Sequence, residues 1–151
     1  MRSPELTRRK DRIDNLIAEG RTLKDEVQSH WARYLCVLIS GFIDESVRET
    51  VHAYVRKRSH LYVQRFVDKR LRFPTSCNLK KIDDIIRDFF GEHPPDDWKR
   101  VTEEMRAAVD GIATNRNKIA HGGDVGLGFV VLKGYYKSVV GLVEVLEKTF
   151  D

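Results

Sequence analysis

The sequence predicts an all-α protein, an antiparallel bundle of four core helices with one or two shorter helices beside them. Three observations predict it. Apolar residues recur at three- and four-residue steps along most of the chain, the dipeptide Val130-Val131 is the one β-like run, and all 4 prolines stand at the edges of the periodic stretches. At 151 residues the chain has the length of one domain, 1–151, enough to bury about two-thirds of its unfolded surface.

Ser3, Pro4 and Glu5 read as an N-cap, a first-turn proline and an acid that complements the helix dipole, opening a helix to about Gly20. A second helix is expected from near Thr22 to about Arg58, bent near Ser29. Its middle, Tyr34 to Ile43, is apolar at eight of ten positions, as a helix covered on several sides requires. A shorter helix follows from Leu61 to about Leu71, stopped by Phe73-Pro74, and another from Leu79 to Phe90, stopped by Gly91. His93-Pro-Pro-Asp-Asp reads as a turn capping a helix that begins near Asp97. That helix carries Trp98, Val101, Met105, Val109 and Ile112 at helical steps and ends near Gly122-Gly123. The last helix aligns Leu132, Tyr136, Val139, Val143, Leu146 and Phe150 on one stripe.

Composition excludes several classes. No apolar run approaches the roughly 20 residues of a membrane crossing, and the N-terminus lacks the apolar stretch of a secretion signal, so a cytoplasmic, membrane-free protein is expected. Cys36 and Cys77 make no disulfide framework. The five histidines are scattered singly, which offers no metal seat, and no cofactor is expected. The net charge of +4 is uneven: the span from Arg48 to Arg72 carries +6 and the remainder −2. That stripe, with Arg48, Arg56, Lys57 and Arg58 in it, would attract a polyanion or simply solvate a helix face.

Chemistry concentrates in Thr114-Asn-Arg-Asn-Lys-Ile-Ala-His-Gly-Gly123. Arg116 follows Ile112 by four residues and precedes Ile119 by three, which points it along the apolar stripe toward the core. A guanidinium placed there must meet an anion or several acceptors. His121 comes five residues later, where the helix runs into glycine. A guanidinium holds a phosphate and an imidazole moves a proton near neutral pH, and a nearby arginine disfavours the imidazolium. The same two residue types near a helix C-terminus also complement its dipole.

Arg116-Asn-Lys-Ile-Ala-His121-Gly resembles the R-N-x-x-x-H signature of HEPN-domain proteins, and its surroundings resemble the RiboL-PSP-HEPN branch. Tyr34 to Glu49 is similar to that branch's central helix and Gly134 to Val140 to its closing helix. The resemblance implies a homodimer in which Arg and His of both copies share one cleft. It also implies a metal-independent endoribonuclease that leaves 2′,3′-cyclic phosphate and 5′-hydroxyl ends, in a defence or toxin–antitoxin setting with an antitoxin partner. On this resemblance His121 is the acid/base, Arg116 the phosphate clamp and Asn117 a polar positioner. Lys118 joins Arg48, Arg56, Lys57 and Arg58 as an RNA contact. The family also tends to place an acid of the central helix near the arginine. Asp44 and Glu45 compete for that role, and Asp44 occupies the matching place in Gly-Phe-Ile-Asp. Tyr135 and Tyr136 either stack on bases or fill the core. A non-catalytic module that binds RNA, a nucleotide or a protein is the alternative.

Overall fold

Pro4 has a fixed φ suited to a first turn and no N–H to leave unpaired, and in the computed structural model it opens helix α1 (Pro4–Gly20). The structure describes residues 1, 3–72 and 77–151. Thr22 does not open the next helix: its hydroxyl donates to Glu19 O at 3.2 Å and finishes α1 instead. Helix α2 (Asp25–Arg58) begins three residues later with Asp25 and Glu26 in its first turn, and runs as one continuous helix through Ser29. Helices α3 (Leu61–Arg70), α4 (Leu79–Phe90), α5 (Glu103–Ala120) and α6 (Phe129–Thr149) complete six packed α-helices, with no strand among the described residues. The expected Phe73-Pro74 stop lies outside the described residues.

One boundary departs further from the periodicity. Trp98 and Val101 keep helical spacing with Met105, yet Asp96–Arg100 is a separate 3₁₀ turn. Val101 is extended, and Thr102 caps α5 by accepting the Met105 N–H at 3.2 Å. Trp98 is still buried, with its Nε1 donating to Asp83 at 3.1 Å. Val130 and Val131 are helical, in the first turn of α6.

Helix α2 is central, touching α1, α3, α5 and α6. Leu35, Ile39, Phe42, Ile43, Val47 and Val51 are fully enclosed, facing Ile112 of α5 and the Leu132, Val139, Leu142 and Leu146 row of α6 within one core. Burying a side chain of this size is worth roughly 1.5–3 kcal/mol. Gly20 lets α1 close onto this core: a Cβ there would lie 2.6 Å from Trp31 and 2.7 Å from Phe129. Tyr136 is buried and its hydroxyl donates to Asp14 Oδ1 at 2.8 Å, so it is a core residue. Tyr135 is half-buried and packs against the same core. Among the described residues no helix is long and apolar enough to cross a membrane.

Candidate active site

His121 is placed by the way α5 stops. It is the C-cap, and Gly122 follows at φ +71°, a conformation that costs an L side chain roughly 1–2 kcal/mol. Two reversed bonds close the helix, Gly122 N–H to Ile119 O at 3.1 Å and Gly123 N–H to Lys118 O at 2.8 Å. The glycine pair therefore fixes the backbone carrying the imidazole, and the side chain stands exposed at the helix end.

Arg116 lies five residues earlier, about 1.4 turns back and about 140° around α5. The buried residues of α5 stop at Ala113, so Arg116, although in phase with Ile112, is half-buried at the rim and not in the core. Periodicity gives direction around a helix axis but not how far along the axis the neighbouring helices reach. Its guanidinium makes one hydrogen bond among the described residues, a long one of 3.5 Å to Asn117 Oδ1. Most of its donors are left for another acceptor.

Arg116 and Asn117 line a cleft of about 560 Å³ with Asn78, Lys80, Lys81 and Asp110. The start of α4 forms the other wall, held by carboxylates from two different helices. Asp110 of α5 accepts the Leu79 N–H at 2.9 Å, and Asp44 of α2 accepts the Cys77 N–H at 2.8 Å. Asn78 caps α4 by accepting the Lys81 N–H at 3.0 Å. The positive end of α4 faces the guanidinium across the cleft with Lys81 and with Lys80, which pairs with Asp84 at 2.8 Å, and this side of the cleft is suited to an anion. Burial and Asp44 together push the Cys77 thiol up to about 12, so it stays protonated.

The other residues singled out in the sequence are dispersed. Asp44 and Glu45 part ways, Asp44 to Cys77 and Glu45 to the Arg48 guanidinium, so Arg48 pairs three residues back and not with Asp44. Lys118 is exposed, about 200° around α5 from Arg116. Arg56, Lys57 and Arg58 are exposed in the last turn of α2, where Arg58 lies 4.2 Å over the Tyr54 ring and donates to Asp151 O at 2.6 Å. Lys80 and Lys81 of the cleft were not picked out by sequence reasoning. Their signal was legible nonetheless: α4 has two cations and no acid in its first turn, where the dipole favours the reverse. Among the described residues no group of three or more His, Cys, Asp or Glu is arranged to hold a metal ion.

Comparison with curated proteins and with solved structures gives no match. The family model described as RiboL-PSP-HEPN matches residues 4–151, from the first residue of α1 to the end of the chain. With that match spanning all six helices and the Arg116 to His121 segment, the chain belongs to the RiboL-PSP-HEPN family.

Proposed function

We propose that this domain is a metal-independent endoribonuclease in which Arg116 binds the scissile phosphate and His121 moves the proton. HEPN-family domains commonly act as ribonucleases. The observation that carries the reading is the cleft itself: Arg116, its donors largely unspent, faces the positive start of α4, and the exposed His121 ends the same helix five residues later, outside the residues that line the cleft. RNA supplies the nucleophile that DNA lacks. The imidazole removes the 2′-hydroxyl proton, the 2′-oxygen attacks the adjacent phosphorus, and the 5′-oxygen leaves with a proton from the imidazolium. A 2′,3′-cyclic phosphate and a 5′-hydroxyl result. The guanidinium stabilises the charge that builds on the phosphoryl oxygens, and Asn117 holds the guanidinium.

A single copy presents one Arg and one His on an open surface. A second copy would close the cleft, and α2 carries an uncovered strip suited to it. Tyr34 and Val37 are each 42% exposed, and Gly41 lies in helical phase with them. The strip sits beside the His121 loop, which the Arg33–Asp124 pair at 2.7 Å ties to α2. On this reading the protein is a homodimer with a shared site, and a protein antitoxin would silence it by covering the same strip. One observation favours the non-catalytic alternative: no side chain among the described residues holds the His121 ring in a fixed tautomer. End-group mapping of RNA treated in EDTA with wild type and His121→Ala decides. Cyclic-phosphate ends from wild type alone are expected, and uncut RNA that is still bound would establish the binding module.

A further inference from the structure

A second cationic pocket lies between α2 and α3, apart from the Arg116 cleft. Arg48, His52, Arg65, Asp68, Lys69 and Arg72 line about 400 Å³. Its one carboxylate, Asp68 Oδ1, stands 2.9 Å from His52 Nε2, a buried atom that forms no hydrogen bond among the described residues. Arg48 gives Nη2 to Glu45, but its Nε is buried with no acceptor among the described residues. Arg65, Lys69 and Arg72 pair with no carboxylate of the described residues. Gathering these cations in one concavity costs mutual repulsion, which a phosphate would relieve through the forked donors of arginine.

Helix α3 adds a second, independent feature. None of its residues is fully buried, and it holds two large rings in solvent, Tyr62 at 72% and Phe66 at 64% exposure. Tyr62 and Phe66 are four residues apart, as are Arg65 and Lys69, so a row of rings runs beside a row of cations; Phe66 also borders the separate cavity between α3 and α4. An exposed ring beside a cation forgoes burial energy but offers a stacking surface to an unpaired base. Bases inside a duplex cannot use it, which selects single strands.

The two cationic regions are neighbours along the chain. The pocket reaches Arg72 and the cleft begins at Asn78. On α2, Arg48 is one turn beyond Asp44, which holds Cys77 at the edge of the cleft. We propose that the α2–α3 pocket is a subsite for single-stranded RNA flanking the bond cut at Arg116 and His121. The backbone phosphates enter among Arg48, Arg65, Lys69 and Arg72, and the bases stack on Tyr62 and Phe66. The choice of RNA rests on the ribonuclease reading; the excess of positive charge does not.

The test separates binding from cutting by using full-length His121→Ala protein in EDTA, with a short single-stranded oligoribonucleotide followed by fluorescence anisotropy. Adding Arg65→Gln, Lys69→Gln and Arg72→Gln together should weaken binding tenfold or more at low salt. It should also flatten the dependence of log affinity on log salt by about 2, since each phosphate contact to a single strand contributes about 0.7. Helicity by circular dichroism should not change, because all three side chains are exposed. Phe66→Ala and Tyr62→Ala should weaken single-strand binding several-fold while leaving the slope and duplex binding alone. Unchanged affinity and slope in the triple variant, or no binding by the parent, overturns the subsite, and equal losses on duplex and single strand overturn the stacking. If wild type cuts while the triple variant binds normally, the subsite fails and the ribonuclease reading stands. If nothing cuts while the triple variant loses binding, the reverse holds.

Discussion

The Asp44 carboxylate on the central helix accepts the backbone N–H of Cys77 at 2.8 Å, thirty-three residues away in sequence. Together with Asp110 on the Leu79 N–H and the Asn78 cap, the bond holds the start of α4, and α4 is one wall of the Arg116 cleft. Asp44 is on this geometry a positioning residue. Asp44→Ala should therefore destabilise the fold by about 1–3 kcal/mol in urea titrations, the cost of stranding a partly buried donor. Cleavage should fall by up to about 100-fold as the wall shifts. Asp44→Asn retains an acceptor oxygen and should recover most of both. An Asn variant that is stable but as inactive as Ala would place Asp44 in the chemistry instead.

Arg116→Ala and His121→Ala should behave in the opposite way. Neither side chain is buried, so urea midpoints should move by no more than about 0.5 kcal/mol. Cleavage in EDTA should drop at least about 100-fold in each, the usual cost of losing a general acid/base or a charge-stabilising donor. Normal cutting by either variant removes that residue from the site.

The bundle was legible because its strongest signals are local: Pro4 starts α1, Gly91 ends α4, and the crowded apolar middle of α2 marks the helix that others wrap. The motif was legible as text, and Gly122-Gly123 told where α5 stops. Three things were not. Trp98 and Val101 keep the 3.6-residue rhythm across a break, because a 3₁₀ turn and an extended residue also return a side chain to the core. Arg116 read as core-facing because its angle is right while its depth depends on how far the neighbouring helices reach. The Asp44–Cys77 and Asp110–Leu79 bonds are long-range, and no spacing announces them.

Gly122 offers a test of the backbone beneath His121. Its φ of +71° makes Gly122→Ala cost about 1–2 kcal/mol, with Gly122→Asn costing less. If the reversed turn aims the imidazole, activity should fall more than this stability loss explains, and Asn should restore part of it. Stability measured beside cleavage rate for both variants reads the difference. Full activity in a destabilised Ala variant would show that the cap does not aim the ring.

Alkaline pH should unfold the protein early. Burial raises Cys36 to about 11, burial with Asp44 raises Cys77 to about 12, and burial with Asp14 raises Tyr136 well above its usual value. In each case the folded state keeps a proton that the unfolded chain releases. Stability is then complete below about pH 9, where unfolded thiols begin to ionise, and declines as pH rises toward the folded values. Urea midpoints should hold up to about pH 9 and fall steadily from there to about pH 11. The Cys36→Ser, Cys77→Ser double variant should show a shallower decline. Both thiols should also resist alkylation near pH 8 until the protein unfolds.

Gly41 gives the sharpest test of a shared site, because a Cβ built there meets nothing within 4 Å in the single chain. Replacing a mid-helix glycine by a good helix former should add up to about 1 kcal/mol to the stability of one copy. Gly41→Arg should accordingly fold at least as well as wild type, while setting a long charged side chain in the strip between Tyr34 and Glu45. If two copies meet there, light scattering should show wild type at twice 17.5 kDa and the variant at 17.5 kDa. RNA cutting should then be lost with the second copy, although Arg116 and His121 are untouched. A wild-type monomer that cuts RNA, or a Gly41→Arg dimer that cuts normally, would move the partner surface elsewhere on the bundle.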